Sequence, residues 1–156
     1  MQTEITLKIS GDVSELKGVR EAIKAFLAKI KTEEHNALAN VELNALEESR
    51  LVLAVDEALA NIIEHGYENK TALAEAQISL TMRQNGSDAE FELCDNGVPF
   101  NPLEHKTNTE FYYEEGLEDG LGLIALTILD TAYERKADQN ILRIKCALRK
   151  EIGKKI

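Results

Sequence analysis

Apolar and polar residues alternate along this chain with two different periods, and these periods divide it into strands and helices. Residues 3–9 alternate with a period of two, which is typical of a half-buried β-strand. Gly11 and Asp12 interrupt this pattern, and a helical period then continues as far as Ile30. The apolar face of this predicted helix consists of Leu16, Val19, Ile23, Phe26, Leu27 and Ile30. Asp12 and Glu15 resemble a capping box at its start.

A longer helix is predicted from Leu51 to Tyr67, and Gly66 is expected to end it in the left-handed conformation that glycine favours at C-caps. Its core side is formed by Leu51, Val55, Ala58, Leu59 and Ile62. Glu57 and Asn61 lie one turn apart on the other side, where their flanks are also apolar. The pair therefore forms a polar island on a largely covered helix. Taken alone, an exposed acid and amide remains the simpler interpretation.

Two further strands with a period of two follow, over residues 76–83 and 89–95. The Asn-Gly pair between them is a strong hairpin signal. Asp95 has the parity of the inward-facing Leu93, so the pattern aims its carboxylate at the covered side of the sheet. Such a carboxylate costs several kcal/mol unless a hydrogen bond satisfies it. Alternatively, the pleat breaks at Cys94 and the acid turns outward.

Asp95 opens a tight turn with the sequence Asp-Asn-Gly-Val-Pro-Phe. A long stretch with little periodicity follows, from Asn101 to Glu118, and its length favours a functional loop over a simple connection. Gly120 and Gly122 then begin a helix predicted to about Leu129. Backbone N–H groups at a glycine-rich helix start can bind phosphate, although glycine at this position also serves packing.

A closing hairpin, formed by residues 133–135 and 141–149, completes the predicted order β-α-α-β-β-loop-α-β-β. Because short turns join neighbouring strands, we expect a mostly antiparallel mixed sheet of about five strands. The three helices should lie on one face, so the predicted class is an α+β two-layer sandwich. The chain has 156 residues and 44% hydrophobic content, which favours a single domain spanning residues 1–156.

Composition and charge narrow the classes of partner. The formal net charge of −10 argues against a nucleic-acid surface, because phosphate would be repelled. No apolar run approaches the ~20 residues that span a bilayer, and the first residues lack the pattern of a signal peptide. Cys94 and Cys146 suggest neither a disulfide framework nor a metal site. We therefore expect a cytoplasmic protein that contacts other proteins and no membrane.

Three local motifs stand in the order and spacing of a known set: Glu57-x-x-x-Asn61, Asp95-x-Gly97-x-Pro99-Phe100 and Gly120-x-Gly122. The set resembles the ATP-binding domain of the GHKL superfamily, which includes gyrase and the histidine kinases and has the Bergerat fold. More closely, the chain is similar to the small stand-alone anti-sigma factor serine/threonine kinases. Their helix motif reads much like Glu-Ala-Leu-Ala-Asn-Ile-Ile-Glu-His-Gly-Tyr here.

The resemblance implies a role for each motif, with ATP and Mg²⁺ as cofactors. Glu57 would be the general base that orients or deprotonates the attacking hydroxyl, and Asn61 would ligate Mg²⁺ between the phosphates. Asp95 would accept a hydrogen bond from the adenine amino group, and Gly97 would let the base lie close to the backbone. The amides that would bind the phosphates belong to Gly120, Leu121 and Gly122.

Two residues close to these motifs, Asp56 and His65, could also be read as catalytic groups. Asp56 lies about 100° around the helix from Glu57, so we expect it to face water or a neighbouring element and predict Glu57 as the base. His65 is predicted to pack or to cap the helix end rather than to perform chemistry.

The lid implied by the resemblance, residues 101–119, is acidic, with Glu110, Glu114, Glu115, Glu118 and Asp119. Lys106 is its only lysine or arginine and is the candidate cation beside the γ-phosphate. Many relatives carry a threonine in the closing strand near the adenine, where this chain has Ile141-Leu142-Arg143.

The function implied by the resemblance is that of an ATP-dependent protein serine/threonine kinase acting as an anti-sigma factor. It would sequester a sigma factor and phosphorylate a serine of a STAS-type anti-anti-sigma protein, a form of transcription regulation by partner switching. Relatives often dimerise, and residues 3–9 could be the edge strand that pairs two subunits. The alternative is a non-catalytic nucleotide-binding module that acts by sequestration. The acidic lid favours this alternative, and the intact Glu57 favours the kinase.

Overall fold

The computed structural model describes residues 4–32, 45–85, 88–102 and 129–147. In chain order, its elements are β1 (Glu4–Ile9), a 3₁₀ turn (Val13–Glu15), α1 (Leu16–Thr32), α2 (Ala45–His65), α3 (Lys70–Ala74), β2 (Ile78–Asn85), β3 (Asp88–Asp95), β4 (Asp130–Lys136) and β5 (Gln139–Ala147). The described part therefore has five strands and three helices, and the predicted α+β class is confirmed.

The five described strands form one sheet in the order β1-β2-β3-β5-β4, and all four pairings are antiparallel. Both predicted hairpins, β2-β3 and β4-β5, are present. The last strand, β5, lies beside β3, so β4 and β1 form the two edges of the sheet. In this register Asp95 is the partner of Ile78 on one side and of Asn140 on the other.

The core lies between one face of the sheet and helices α1 and α2. Alternate residues of β3 are buried, as its period of two predicts. Phe26 of α1 and Phe91 of β3 are both fully buried and meet edge to face, with ring centroids 5.9 Å apart. The other large side chains that are fully buried are Ile23, Leu27, Ile30, Leu51, Leu59, Leu80, Met82, Leu93 and Ile144. The two-layer sandwich is thus confirmed.

The open face of the sheet carries charge. Arg83 of β2 and Arg143 of β5 form ion pairs across neighbouring strands, with N–O distances between 2.8 and 3.4 Å. Their carboxylate partners are Glu4, Glu90, Glu92 and Glu134. These side chains alternate with the buried positions, so the polar half of the period faces away from the helices.

The start of α1 differs from the predicted capping box. The Asp12 carboxylate accepts from the Ser14 N–H at 2.9 Å, which lowers the pKa of Asp12 and initiates a 3₁₀ turn before the helix. Glu15 accepts from the N–H of Ser10 at 3.2 Å and not from that of Asp12. The Asp12 cap is therefore correct, and the reciprocal half of the box is wrong because the intervening residues form the tighter turn.

The predicted end of the long helix is also wrong in one respect. Helix α2 does end at His65, but the φ angle of Gly66 is outside the left-handed region. Its N–H donates to the Ile62 carbonyl at 2.8 Å, and a Cβ at this residue would lie 2.6 Å from that oxygen. Close packing against the last turn, rather than a left-handed φ, therefore requires glycine here.

Helix α3 was not predicted, and Asn69 caps it by accepting from the Ala72 N–H at 2.8 Å. The helix predicted from Leu121 lies outside the described residues, except for its last residue. Cys94 and Cys146 are both half-buried, and neither forms a disulfide bond. In the described part of the chain, no helix combines the length and the apolar character needed to cross a membrane.

Candidate functional site

The C-terminal end of α2 rests directly on the turn that follows β3. The Gly66 carbonyl accepts from the Val98 N–H at 2.8 Å. A Cβ at Gly97 would lie only 2.4 Å from the same carbonyl oxygen. The Tyr67 hydroxyl donates to the Asn96 side-chain oxygen at 2.7 Å. Helix α2 and the Asp-Asn-Gly turn therefore form one rigid junction.

This junction explains why position 97 requires glycine. The backbone that approaches Gly97 closely belongs to the end of α2, whereas the resemblance implied close approach by a nucleotide base. The role towards the base stays a prediction, and the structure adds a second, internal reason for the glycine.

Gly97→Ala is expected to lower the free energy of unfolding by about 1–3 kcal/mol, because the added methyl group overlaps a backbone carbonyl that has little room to move. The matched control is Gly18→Ala in α1, where an added Cβ meets nothing within 4 Å. That control should gain about 0.5–1 kcal/mol from helix propensity. Urea unfolding measures both, and equal effects at the two positions would contradict the close contact.

Asp95 ends β3 with its side chain on the covered side of the sheet. The residue is 3% exposed, which confirms the predicted burial and excludes the outward turn. Its Oδ1 atom accepts from the Gly97 N–H at 2.9 Å and from Asn140 Nδ2 at 2.9 Å. Oδ2 has no hydrogen-bond partner among the described residues. Burial raises the pKa of Asp95, while the hydrogen bonds and the charge of Arg135 oppose this effect.

Asn140 at the start of β5 is a site residue that the sequence analysis missed. It is 4% exposed, and its amide also donates to the Val98 carbonyl at 2.9 Å. Its side-chain oxygen accepts from the Tyr133 hydroxyl and from the Phe100 N–H at 3.4 Å. The signal was available, because Asn140 shares the inward parity of the next strand residues, Leu142 and Ile144.

Two further side chains hold the same turn. Arg135 of β4, the register partner of Asn140, donates from Nη1 to the Gly97 carbonyl at 2.8 Å. Burial, with a contribution from the negative charge of Asp95, raises the pKa of Tyr67 to about 12. The Tyr67 phenol is therefore neutral at physiological pH and acts as a hydrogen-bond donor.

Glu57 and Asn61 lie on α2 in a stripe that continues to His65, because residues four apart share a helix face. The His65 ring stacks on Phe100, with centroids 5.2 Å apart and planes at 26°. The stripe therefore ends beside Phe100, in the segment that follows the Asp-Asn-Gly turn. The same contact confirms the prediction that His65 packs against the protein. Asn61 lies about 7.5 Å along the helix axis from Gly66, and Glu57 about 6 Å further.

The predicted polar pair on α2 is largely covered by the rest of the protein. Asn61 is 7% exposed, and no side-chain hydrogen bond of this amide is found in the described part of the chain. Glu57 is half-buried. The simpler interpretation, an exposed acid and amide, is therefore wrong. A buried amide without a partner is costly, so the site favours a ligand that Asn61 can contact.

The neighbouring acid, Asp56, points elsewhere. Its carboxylate pairs with Arg20 of α1 at 2.8 Å, which confirms that it faces a neighbouring element. Asp56 therefore joins the two long helices, and Glu57 is the acid on the Asn61 side of α2.

The remaining predicted site residues cannot be placed beside these groups. Lys106, Gly120, Leu121 and Gly122 all lie outside the described residues, as does the predicted lid beyond Pro102. The described site thus contains Glu57 and Asn61 of the helix motif and the Asp95-x-Gly97 motif, and the roles of all these residues towards a nucleotide stay predictions.

The arrangement can select a ligand by hydrogen bonding. Asp95 offers a buried, negatively polarised oxygen that needs a donor, and Asn61 offers an amide that needs a partner. Both groups have the capacity to hydrogen-bond a polar ligand.

Comparison with known proteins identifies the family of this chain. The family model for the histidine kinase-like ATPase domain matches residues 9–146, a range that contains every predicted site residue. Among solved structures, the catalytic domain of the histidine kinase ThkA, in a nucleotide-free form, is 14% identical to this chain. The alignment covers 94% of this chain and 97% of that one, with a TM-score of 0.45. No curated protein matches the chain significantly. The match to the family model shows that this chain belongs to the histidine kinase-like ATPase domain family of the GHKL superfamily, whose members bind ATP.

Proposed function

We propose that this protein binds ATP with Mg²⁺ at the junction of α2 and the turn after β3, and that it is a protein serine/threonine kinase acting as an anti-sigma factor. The single observation that carries the nucleotide part is the buried carboxylate of Asp95. One of its oxygens is held by the protein, and the other has no partner among the described residues.

The fit to adenine follows from the chemistry of this carboxylate. A buried oxygen without a hydrogen bond is unfavourable, and a neutral exocyclic amino group supplies a donor without adding a second charge. When it is ionised, the carboxylate acts only as a hydrogen-bond acceptor, so its partner must be a donor. The two donors on Oδ1 support that form against the effect of burial. Asp95 therefore suits a base with an amino group better than one with a carbonyl.

The helix residues suit the phosphate end of the nucleotide. Bound Mg²⁺ would neutralise phosphate charge, and its preference for oxygen ligands fits the side-chain oxygen of Asn61. Glu57, one turn earlier, would accept the proton of the serine hydroxyl as its oxygen bonds to the γ-phosphorus. The bond from the γ-phosphorus to the bridging oxygen breaks at the same stage, leaving ADP and phosphoserine.

The regulatory part of the proposal rests on the resemblance of the helix motif and on charge. A net charge of −10 disfavours direct DNA contact, so an effect on transcription would act through protein partners. We propose a sigma factor and a serine-bearing STAS-type protein as these partners.

The non-catalytic module remains the second candidate, and the run of acidic residues in the lid sequence favours it, because like charges weaken triphosphate binding.

One experiment separates the two candidates. The purified protein is incubated with γ-labelled ATP, Mg²⁺ and STAS-domain proteins of the same genome, and label on the STAS serine is measured. Transfer that disappears when this serine is replaced by alanine supports the kinase, whereas partner binding without transfer supports the module.

ATP binding itself is tested by unfolding, because ATP with Mg²⁺ should raise the free energy of unfolding by about 2.7 kcal/mol at a hundredfold excess over Kd. No stabilisation would refute both candidates.

A further inference from the structure

Asn140 uses all of its hydrogen-bonding capacity within the protein. Its Nδ2 group donates to Asp95 Oδ1 and to the Val98 carbonyl, each at 2.9 Å. Its Oδ1 atom accepts from the Tyr133 hydroxyl and the Phe100 N–H. An amide offers two donors and one acceptor oxygen, so none of these groups is left for a ligand. Asn140 can affect ligand binding only through Asp95 and the turn.

The geometry at Asp95 defines what that effect would be. The donors from Gly97 and from Asn140 both bind Oδ1, one from within the turn and one from β5. Two donors on one oxygen fix the rotation of the carboxylate and leave Oδ2 as the available acceptor. We propose that Asn140 is a positioning residue that holds Asp95 oriented and ionised, so that Oδ2 alone receives the nucleotide base. The role towards the base rests on the proposed function.

Charge at the site supports the same conclusion. Burial raises the pKa of Asp95, and the side-chain hydrogen bond from Asn140 is the largest of the effects that lower it. The Arg135 guanidinium adds a favourable charge from β4, and it is already held by the Gly97 carbonyl. Among the described residues, the Tyr67 phenol is the other titratable group on the side of Asp95, and because its pKa is raised it is neutral at physiological pH. The Cys94 thiol interacts with the Asp95 charge but points to the opposite face of the sheet, and its raised pKa keeps it neutral as well. Asn140 is thus the neutral donor best placed to keep the carboxylate charged.

The test is the titration of the Asp95 carboxyl carbon by NMR in the ligand-free protein, so that it does not depend on ATP binding. Asn140→Ala should raise the Asp95 pKa measurably, because a donor to the ionised form is lost. It should also weaken ATP binding about tenfold at pH 7 and move the acid limb of the binding profile to higher pH. The control is Tyr133→Phe, which removes a donor to Asn140 and leaves the contact from Nδ2 to Asp95 in place.

The outcomes separate this inference from the proposed function. An unchanged Asp95 pKa in Asn140→Ala overturns the inference, and so does an equal shift in Tyr133→Phe, which would indicate general loosening of the turn. If the pKa shifts but the wild-type protein does not bind ATP, the proposed function fails while the link between Asn140 and Asp95 stands. Should Asn140→Ala not fold, Asn140→Ser is titrated in its place, because its shorter side chain also loses the donor to Asp95 Oδ1. An unchanged Asp95 pKa in this second variant would overturn the inference as well.

Discussion

Asp95→Asn is expected to weaken ATP binding by about tenfold or more while leaving the ligand-free protein at least as stable as the wild type. The substitution keeps one side-chain oxygen for the donors of Gly97 and Asn140. It replaces the second oxygen by an amino group, which then faces the donor of the base. A hydrogen bond to a charged group contributes about 1.5–3 kcal/mol, so the affinity should fall by about tenfold to a hundredfold or more.

The effect on stability has the opposite sign. Burial raises the folded-state pKa of Asp95 above its ordinary value of 3.8, so folding favours the protonated form. The stability that this group contributes is complete below the unfolded pKa and is lost as the pH rises through the raised folded pKa. Asp95→Asn removes this cost at neutral pH. The free energy of unfolding should therefore not fall at pH 7, and its dependence on pH just above 3.8 should become weaker.

Isothermal titration calorimetry with ATP and Mg²⁺, together with urea unfolding over a range of pH, measures both effects. The control is Asp88→Asn at the opposite end of the same strand, where a half-buried acid undergoes the same chemical change away from the site. We expect this control to bind ATP normally. Normal ATP binding by Asp95→Asn would show that the base assignment is wrong.

The burial of Asp95 was predictable because it depends on local pattern alone. The period of two holds through β3 to its last residue, so the parity of Leu93 correctly placed Asp95 inside. The polar island on α2 was predictable for a similar reason, since the helical period places Glu57 and Asn61 on one stripe. In both cases the side chain is positioned by its own element.

Asn140 could not be assigned to the site in this way. Its inward parity was readable, but its place opposite Asp95 depends on which strand of the closing hairpin lies beside β3. The sequence predicts the hairpin and not that choice. The order β3-β5-β4 puts Asn140 next to Asp95 and leaves Tyr133, one strand further out, as its donor. Long-range pairing of this kind is fixed by the packing of the whole sheet.

The roles of Gly66 and Gly97 also depend on contacts between distant parts of the chain, which the sequence pattern does not predict. Taken separately, Gly66 suggested a left-handed helix end and Gly97 suggested close approach by a ligand. In the structure each glycine is explained by a contact with neighbouring backbone, and Gly97 packs against the carbonyl of Gly66. Helix α3 was missed because five residues are too few for a helical period to be visible, and its start depends on the side chain of Asn69.

Glu57→Ala is expected to slow phosphoryl transfer by about 10²–10⁴-fold and to leave ATP binding intact. A positioned general base typically contributes 10²–10⁴-fold to a rate, and we expect a loss within that range. ATP binding should survive because Asp95 is on a different element and because Asn61, the predicted Mg²⁺ ligand, is unchanged. Single-turnover transfer of labelled phosphate to the STAS-type partner measures the rate, and calorimetry measures the affinity.

The neighbouring residue supplies a matched control, because Asp56→Ala removes an acid from the same turn of α2 but from a different face. Asp56 pairs with Arg20 on a partly exposed surface, so its loss should cost about 1 kcal/mol or less in stability and should leave transfer unchanged. If both variants lose transfer equally, the effect reflects the position of α2 and not a base. If Glu57→Ala loses ATP binding as well, the acid holds the nucleotide or its metal. Transfer at the wild-type rate would leave the protein without its proposed base and would favour the sequestering module.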